Sequence, residues 1–367
     1  MVRVLEPAGA DERSASTAAV PDWAVVDLFC GIGGLSHGLR HAGFNVVAGV
    51  DADETCRYAF ETNNNATFVG RPLEDVSGDE IAAMFPEGTR RIVVGCAPCT
   101  PFSAYSAGPG EARDKWSLVD LFMDRIAAVE PEVISMENVP RLKSFKQRRV
   151  FNRFLERLDG VGYEVSAKVV NAADYGVPQD RSRLVVLASK LGPIDVPAAT
   201  VNTRPTVREA IAHLPALDAG AVDAEDRIHR APRLSSLNLR RIRAAKPGRP
   251  WSEWADQGLL SPCHRRSTGA SYKNVYGRME WDKPSPTLTT GCFSFGRGRF
   301  GHPKQDRAIS LREAALLQSF PARYEFIAAD DPVWFARVGR HIGNAVPVAL
   351  AAAIGDTIRT HIREHAA

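Results

Sequence analysis

Cysteine is scarce in this chain, with six in 367 residues. Their spacings match neither a disulfide framework nor a paired metal cluster, and reduced thiols in a cytoplasm fit that usage better. Long hydrophobic runs are missing as well. No apolar stretch reaches the roughly 20 residues that span a bilayer, so no membrane partner is expected. The first twenty residues are rich in Ala, Ser and charge but hold no hydrophobic segment, so 1–20 is expected to be a frayed tail and not a signal peptide. Nor is one charge in large surplus. Lys and Arg number 46 against 43 Asp and Glu, a net +3 that permits a polyanionic partner without demanding one. Internal repeats are also lacking. What is left is an ordinary globular composition, long enough for a full core and two lobes.

The most informative segment is Gly95-Cys96-Ala97-Pro98-Cys99-Thr100-Pro101-Phe102-Ser103, which follows the apolar run Arg91-Ile92-Val93-Val94. It reads as a buried strand opening into a loop with Cys99 at its tip. Pro98 and Pro101 fix the backbone on both sides of the sulfur, and Pro98 biases Ala97 toward extended conformations. Ligands meet chemistry at the carboxyl ends of strands in open α/β sheets. Three readings stand at this point. Cys99 is a covalent nucleophile, or Cys96 and Cys99 form a redox pair, or both are small buried hydrophobes.

Strands are expected over residues 24–29, 44–50, 92–94, 132–136, 163–170 and 184–188, with helices such as 118–129 and 151–158 between them. That alternation predicts an α/β fold with a doubly wound, mainly parallel sheet. After Lys190 the chain becomes rich in Pro, Gly and Arg, which suggests a smaller irregular lobe over 191–305. Ser310 with Glu313 forms a capping-box signature that restarts regular structure, and 346–358 reads as an alanine-rich helix. The expected organisation is a tail (1–20), a catalytic and cofactor-binding domain (21–190), the second lobe (191–305), a connecting helix and hinge (306–340), and a C-terminal helix returning to the catalytic domain (341–367).

Asp27-Leu28-Phe29-Cys30-Gly31-Ile32-Gly33-Gly34 reads as strand, glycine turn and helix. The dinucleotide fingerprint G-x-G-x-x-G fails, because Ser36 stands where the third glycine belongs. Asp51 closes the next strand and is placed for a ribose diol. An adenosine cofactor without a pyrophosphate fits both facts, and S-adenosyl-L-methionine is such a cofactor. Two basic stretches add to the picture. One runs through Arg230, Arg233, Arg240, Arg241, Arg243, Lys246 and Arg249 toward Trp251 and Trp254; the other is Gly296-Arg297-Gly298-Arg299-Phe300-Gly301. Either alone is a solvated face, but two in one region point to phosphate contact.

Six segments then occur in order: Asp27–Gly34, Pro98–Ser103, Glu137-Asn138-Val139, Gln179-x-Arg181-x-Arg183, Arg312–Pro321 and Ile342–Pro347. Together they resemble the DNA (cytosine-5)-methyltransferase family of prokaryotic type, from residue 27 to about 355. The resemblance implies a class I S-adenosylmethionine-dependent fold, Rossmann-like, in which 191–305 is a target-recognition domain. It implies Cys99 as the nucleophile toward carbon 6 of a flipped-out cytosine in double-stranded DNA, Glu137 at ring nitrogen N3, Arg183 at carbonyl O2, and Asn138 and Arg181 in support. It makes Cys96 a packing residue. The implied cofactor residues are Asp27, Phe29, Cys30, Gly31, Ile32, Gly33, Gly34, Asp51, Ala52, Pro98, Leu118, Asn344 and Ala345. Substrate contacts are implied for Ser103, Gln179, Thr287, Leu288, Thr289, Arg297 and Arg299. The expected setting is a cytoplasmic monomer, with a restriction endonuclease as a functional but not physical partner. Two rivals remain: a tRNA cytosine-5 methyltransferase, and a DNA-binding homologue without catalysis. The tRNA branch is marked by Cys-Phe-Thr, whereas Cys292-Phe293 is followed here by Ser294.

Overall fold

The computed structural model describes residues 22–97, 117–266 and 272–365. Pro98, Cys99 and Ser103 lie outside the described residues. Contacts divide the chain into two units. The first holds residues up to 175, 182–202 and 345–367; the second holds 176–181 and 203–344. Residues 191–202 thus group with the first unit and 306–344 with the second.

The first unit is built on seven strands: β1 (Trp23–Leu28), β2 (Asn45–Asp51), β3 (Thr67–Gly70), β4 (Arg90–Gly95), β5 (Val133–Asn138), β6 (Glu164–Asn171) and β7 (Ser182–Ser189). Their order in the sheet is β3-β2-β1-β4-β5-β7-β6. The five strands from β3 to β5 run parallel, and β7 is antiparallel to both its neighbours. Every residue of β1 and β5 is buried, as strands covered by helices on both faces require. The edge strand β6 is half exposed. β3 escapes the sequence reading because its four residues, Thr-Phe-Val-Gly, carry too little pattern to register. The helix Gly34–His41, which follows the glycine turn, packs on the C-terminal helix Val348–His365. A Cβ at Gly38 would lie 2.4 Å from that of Ala351, so small residues set this close approach.

The second unit is irregular. Two-residue strands, Gln179–Asp180 and Ser285–Pro286, pair in parallel. One apolar cluster gathers Ile242, Trp251, Trp254, Leu259, Phe295 and Ala308. Trp251 and Trp254 therefore belong to the core and not to a nucleic-acid face. Arg278 is a buried hub that donates to the carbonyls of Ile242, Ala245, His302 and Gln305 and pairs with Asp306. The capping box expected at Ser310 and Glu313 is present, on the helix Leu311–Leu317.

Glu313 also meets Arg307 in a buried two-pronged pair at 2.6 and 2.7 Å. Burial pushes the Glu313 carboxyl up, but the Arg307 guanidinium more than offsets this and holds it below the ordinary carboxylate range. The pair's stabilisation is therefore full above the ordinary glutamate value and is lost as pH falls through the lower folded value. Replacing Arg307 by Met would leave Glu313 buried without its arginine partner. We expect a loss of about 3–5 kcal/mol, read as a lowered urea midpoint in equilibrium unfolding.

Candidate active site

The carboxyl edge of the parallel strands gathers the chemistry. Leu28 and Gly95, the last residues of β1 and β4, lie in register with Val50 of β2 and Met136 of β5. The segments that follow them, the 29–34 turn, Asp51, Cys96 and Glu137, leave from one edge of the sheet. Because β7 runs the other way, Arg183 near its start reaches that same edge.

The turn after β1 is shaped for a ligand. Phe29 has φ +62°, Gly31 +50° and Gly33 +83°. A non-glycine residue held in the left-handed region is strained, and such strain collects at ligand clamps. A Cβ on Gly31 would meet nothing within 4 Å, so space stands open above the turn. Asp51 accepts the Gly31 N–H at 2.8 Å through one oxygen and the Asp53 N–H at 2.8 Å through the other. Asp27 is fully buried; its Oδ2 accepts from Ser36 Oγ at 2.7 Å, and its Oδ1 has no partner among the described residues. Burial lifts the Asp27 carboxyl to about 7 and raises Asp51 as well. An open cradle, an unpartnered buried carboxyl oxygen and a strand-end carboxylate with spare lone pairs fit an adenosine cofactor with a positive sulfonium. Cys30 and Ile32 are buried in the turn, Leu118 is half-buried, and Ala52 is exposed beyond β2. Burial pushes the thiols of Cys30 and Cys292 up, the latter to about 12, so neither is a ready thiolate.

Three groups stand in a row across β4, β5 and β7. Glu137 is buried. Arg183 Nε lies 2.8 Å from Glu137 Oε1, and the Cys96 thiol donates to Glu137 Oε2 at 3.1 Å. The Arg183 N–H is not aligned on Oε1, so that oxygen has an ionic partner but no hydrogen-bond donor among the described residues. Asn138 turns the other way along the strand, and its Nδ2 donates to the Ala97 carbonyl at 3.1 Å. The Cys96 N–H donates to the Leu28 carbonyl at 3.3 Å. Cys96 and Ala97 are thus pinned from β1 and from β5. Cys96 was expected only to pack, and its contact with Glu137 depends on a register between β4 and β5 that no local pattern announces.

In the second unit several of the expected contact residues make bonds within the fold. Gln179 donates to Leu317 O and Gln318 Oε1 and accepts from the Leu288 N–H, so its amide is fully engaged. Arg181 is buried and holds the carbonyls of Leu288 (3.0 Å) and Gly343 (3.2 Å). Both act as struts, with the Leu288 backbone between them. Thr287 Oγ1 donates to Asp180 O, and Thr287 and Thr289 are exposed while Leu288 is buried. A Cβ on Gly343 would lie 2.3 Å from Thr289 O, so only glycine fits this approach. Arg299 donates to Gly248 O (2.7 Å) and Asn274 Oδ1 (2.8 Å), whereas the Arg297 side chain is exposed. The longer basic tract divides the same way. Arg241 is buried over the Tyr276 ring, Arg243 and Arg249 pair with Asp306 and Glu253, and Arg233, Arg240 and Lys246 are exposed. Asn344 belongs to this second unit and Ala345 to the first.

A seven-stranded sheet with its sixth position antiparallel, and a glycine turn after its first strand, defines a class I S-adenosylmethionine-dependent methyltransferase fold. Solved structures share it. A prophage-encoded E. coli protein superposes with a TM-score of 0.68 at 22% identity over 93% of this chain and 99% of its own. The S. pombe Dnmt2 methyltransferase does so at 0.56 and 15% identity over 93% and 98%. The family model for C-5 cytosine-specific DNA methylases matches residues 23–360. The Type II methylase M.HgiDII of Herpetosiphon aurantiacus is 48% identical over 92% of this chain and 95% of its own. Type II methyltransferase M1.HphI of Haemophilus parahaemolyticus is 32% identical over 91% and 86%. The chain belongs to the C-5 cytosine-specific DNA methylase family. Among the described residues no helix is long and apolar enough to cross a membrane.

Proposed function

We propose that this protein methylates carbon 5 of cytosine in double-stranded DNA, with S-adenosyl-L-methionine held by the 29–34 turn, Asp51 and Asp27. The observation that carries the reading is the buried Glu137 carboxyl, clamped between Arg183 and Cys96 at the sheet edge where β4 ends, with Cys96 three residues before Cys99 in sequence. When bound, the cofactor supplies an electrophilic methyl group. A cytosine stacked in a duplex presents neither C5 nor C6 to such an edge, so the base must be flipped out. Cys99 Sγ forms a bond to C6, and the ring's electron density moves to C5. Glu137 faces N3 through its undonated Oε1 and carries the hydrogen that N3 takes up. Arg183 keeps part of its guanidinium free of the ion pair and holds O2. After methylation, loss of the C5 proton to water breaks the Sγ–C6 bond, releases the Cys99 thiolate and returns the N3 hydrogen to Glu137.

The similarity to relatives named Type II methylases supports a DNA substrate, a restriction–modification setting and a cytoplasmic location over the tRNA reading. The intact Cys99, Glu137 and Arg183 set supports an enzyme over a binding-only homologue. We assign target recognition to the second unit, with the exposed Thr287, Thr289 and Arg297 facing DNA. Arg299, whose donors are used internally, steadies the loop beneath Arg297.

Bisulfite sequencing of a randomised plasmid library from cells expressing the chain tests both claims. Converted cytosines throughout the library would overturn the function, while protection within one short motif supports it. Arg297→Ala should then relax one position of that motif, because a bidentate arginine–guanine pair is worth roughly 1–3 kcal/mol of discrimination. An even loss at all sites, with a flatter salt dependence, would make Arg297 a phosphate contact instead.

A further inference from the structure

The pairing of β4 with β5 runs Ile92–Val133, Val93–Ile134, Val94–Ser135 and Gly95–Met136. Continued by one residue, it sets Cys96 beside Glu137, and side chains in register on neighbouring parallel strands point to the same face. The 3.1 Å contact from the thiol to Oε2 follows from that register. Arg183 approaches the other oxygen from β7, diagonally across the antiparallel pairing of Glu137 with Val185. Among the described residues, the charged and titratable groups against the Glu137 carboxyl are thus the Arg183 guanidinium and the Cys96 thiol.

We infer that Cys96 is a positioning residue, whose S–H holds Glu137 Oε2 so that Oε1 is the oxygen presented to the target base. The inference rests on the assignment of Glu137 to cytosine N3. The two oxygens have different partners: Arg183 lies against Oε1 and the small, weakly donating thiol against Oε2. Held at both ends, the buried carboxyl is fixed in one rotamer.

Two variants separate this from a packing role, because they move the same quantity in opposite directions. Cys96→Val keeps nearly the volume and removes the donor. Cys96→Ser keeps a donor and strengthens it. Single-turnover methylation of a duplex oligonucleotide is followed against pH for the wild type, both variants and Glu137→Gln. The limb of the profile that Glu137→Gln abolishes is the marker. In Cys96→Val we expect a rate loss of roughly tenfold, about the worth of one hydrogen bond to a charged group, with the marker limb shifted to higher pH. In Cys96→Ser we expect a shift to lower pH with a rate within a few-fold of wild type. DNA affinity and melting temperature should hold in both. Wild-type profiles in both variants, or shifts of the same sign, would overturn the positioning role. A Glu137→Gln profile equal to wild type would instead overturn the assignment of Glu137 itself.

Discussion

Cys99→Ser is expected to abolish methyl transfer, by on the order of 10⁴–10⁶-fold, as losing the nucleophile does in other covalent enzymes. The reason is ionisation. At neutral pH a few per cent of an ordinary thiol is thiolate, whereas a serine hydroxyl supplies almost no alkoxide. Among the described cysteines, Cys30, Cys56 and Cys292 are buried, Cys30 and Cys292 with raised proton affinity, and the Cys96 thiol contacts Glu137. Binding of S-adenosylhomocysteine, measured by calorimetry, should survive the substitution, because the glycine turn follows a different strand. DNA carrying 5-fluorocytosine gives the positive control. Fluorine at C5 cannot leave as a proton does, so the Sγ–C6 bond persists and the adduct is isolated by peptide mapping. An adduct on Cys96, or full turnover by the serine variant, would remove Cys99 from the mechanism.

How much of this was legible without coordinates follows from the range of each interaction. The glycine turn, the strand before Cys99 and the capping box at Ser310 are local, and their residues announce them. The β order was not legible beyond its class, since pairing joins residues that no local pattern links, as Gly95 with Met136 shows. Register decided what the Cys96 thiol touches, and it was read as packing. The basic tracts divide for a related reason. A guanidinium has the same letter whether it meets solvent or a carbonyl. Arg241 and Arg299 are held inside the second unit by backbone oxygens from other segments, while Arg297, two residues from Arg299, is exposed. Likewise the motif implies a supporting role for Arg181 and substrate contact for Gln179, and it names none of the fold partners they reach, Leu317, Gln318, Leu288 and Gly343.

Glu137→Gln is the second large effect expected, a loss of about 10²–10⁴-fold in single-turnover rate, the usual contribution of a positioned acid or base. The amide is nearly isosteric and the site should accept it. Its oxygen would face the Arg183 cation, since the alternative sets an NH₂ against a guanidinium. The amide nitrogen then lies toward Cys96, and neither end can give up a proton to N3. DNA affinity should change only a few-fold, because most of that binding comes from phosphate contacts made elsewhere. Hydrogen exchange at C5 of the target cytosine, run without a methyl donor, isolates the step. Exchange there needs Cys99 added at C6 and N3 hydrogen-bonded, but no methyl transfer. It should slow in parallel with turnover in Glu137→Gln. If exchange slows and methylation does not, Glu137 assists addition without limiting catalysis. Should neither change, the clamp formed by Arg183 and Cys96 holds a residue that the reaction does not use, and N3 must find its hydrogen from another group.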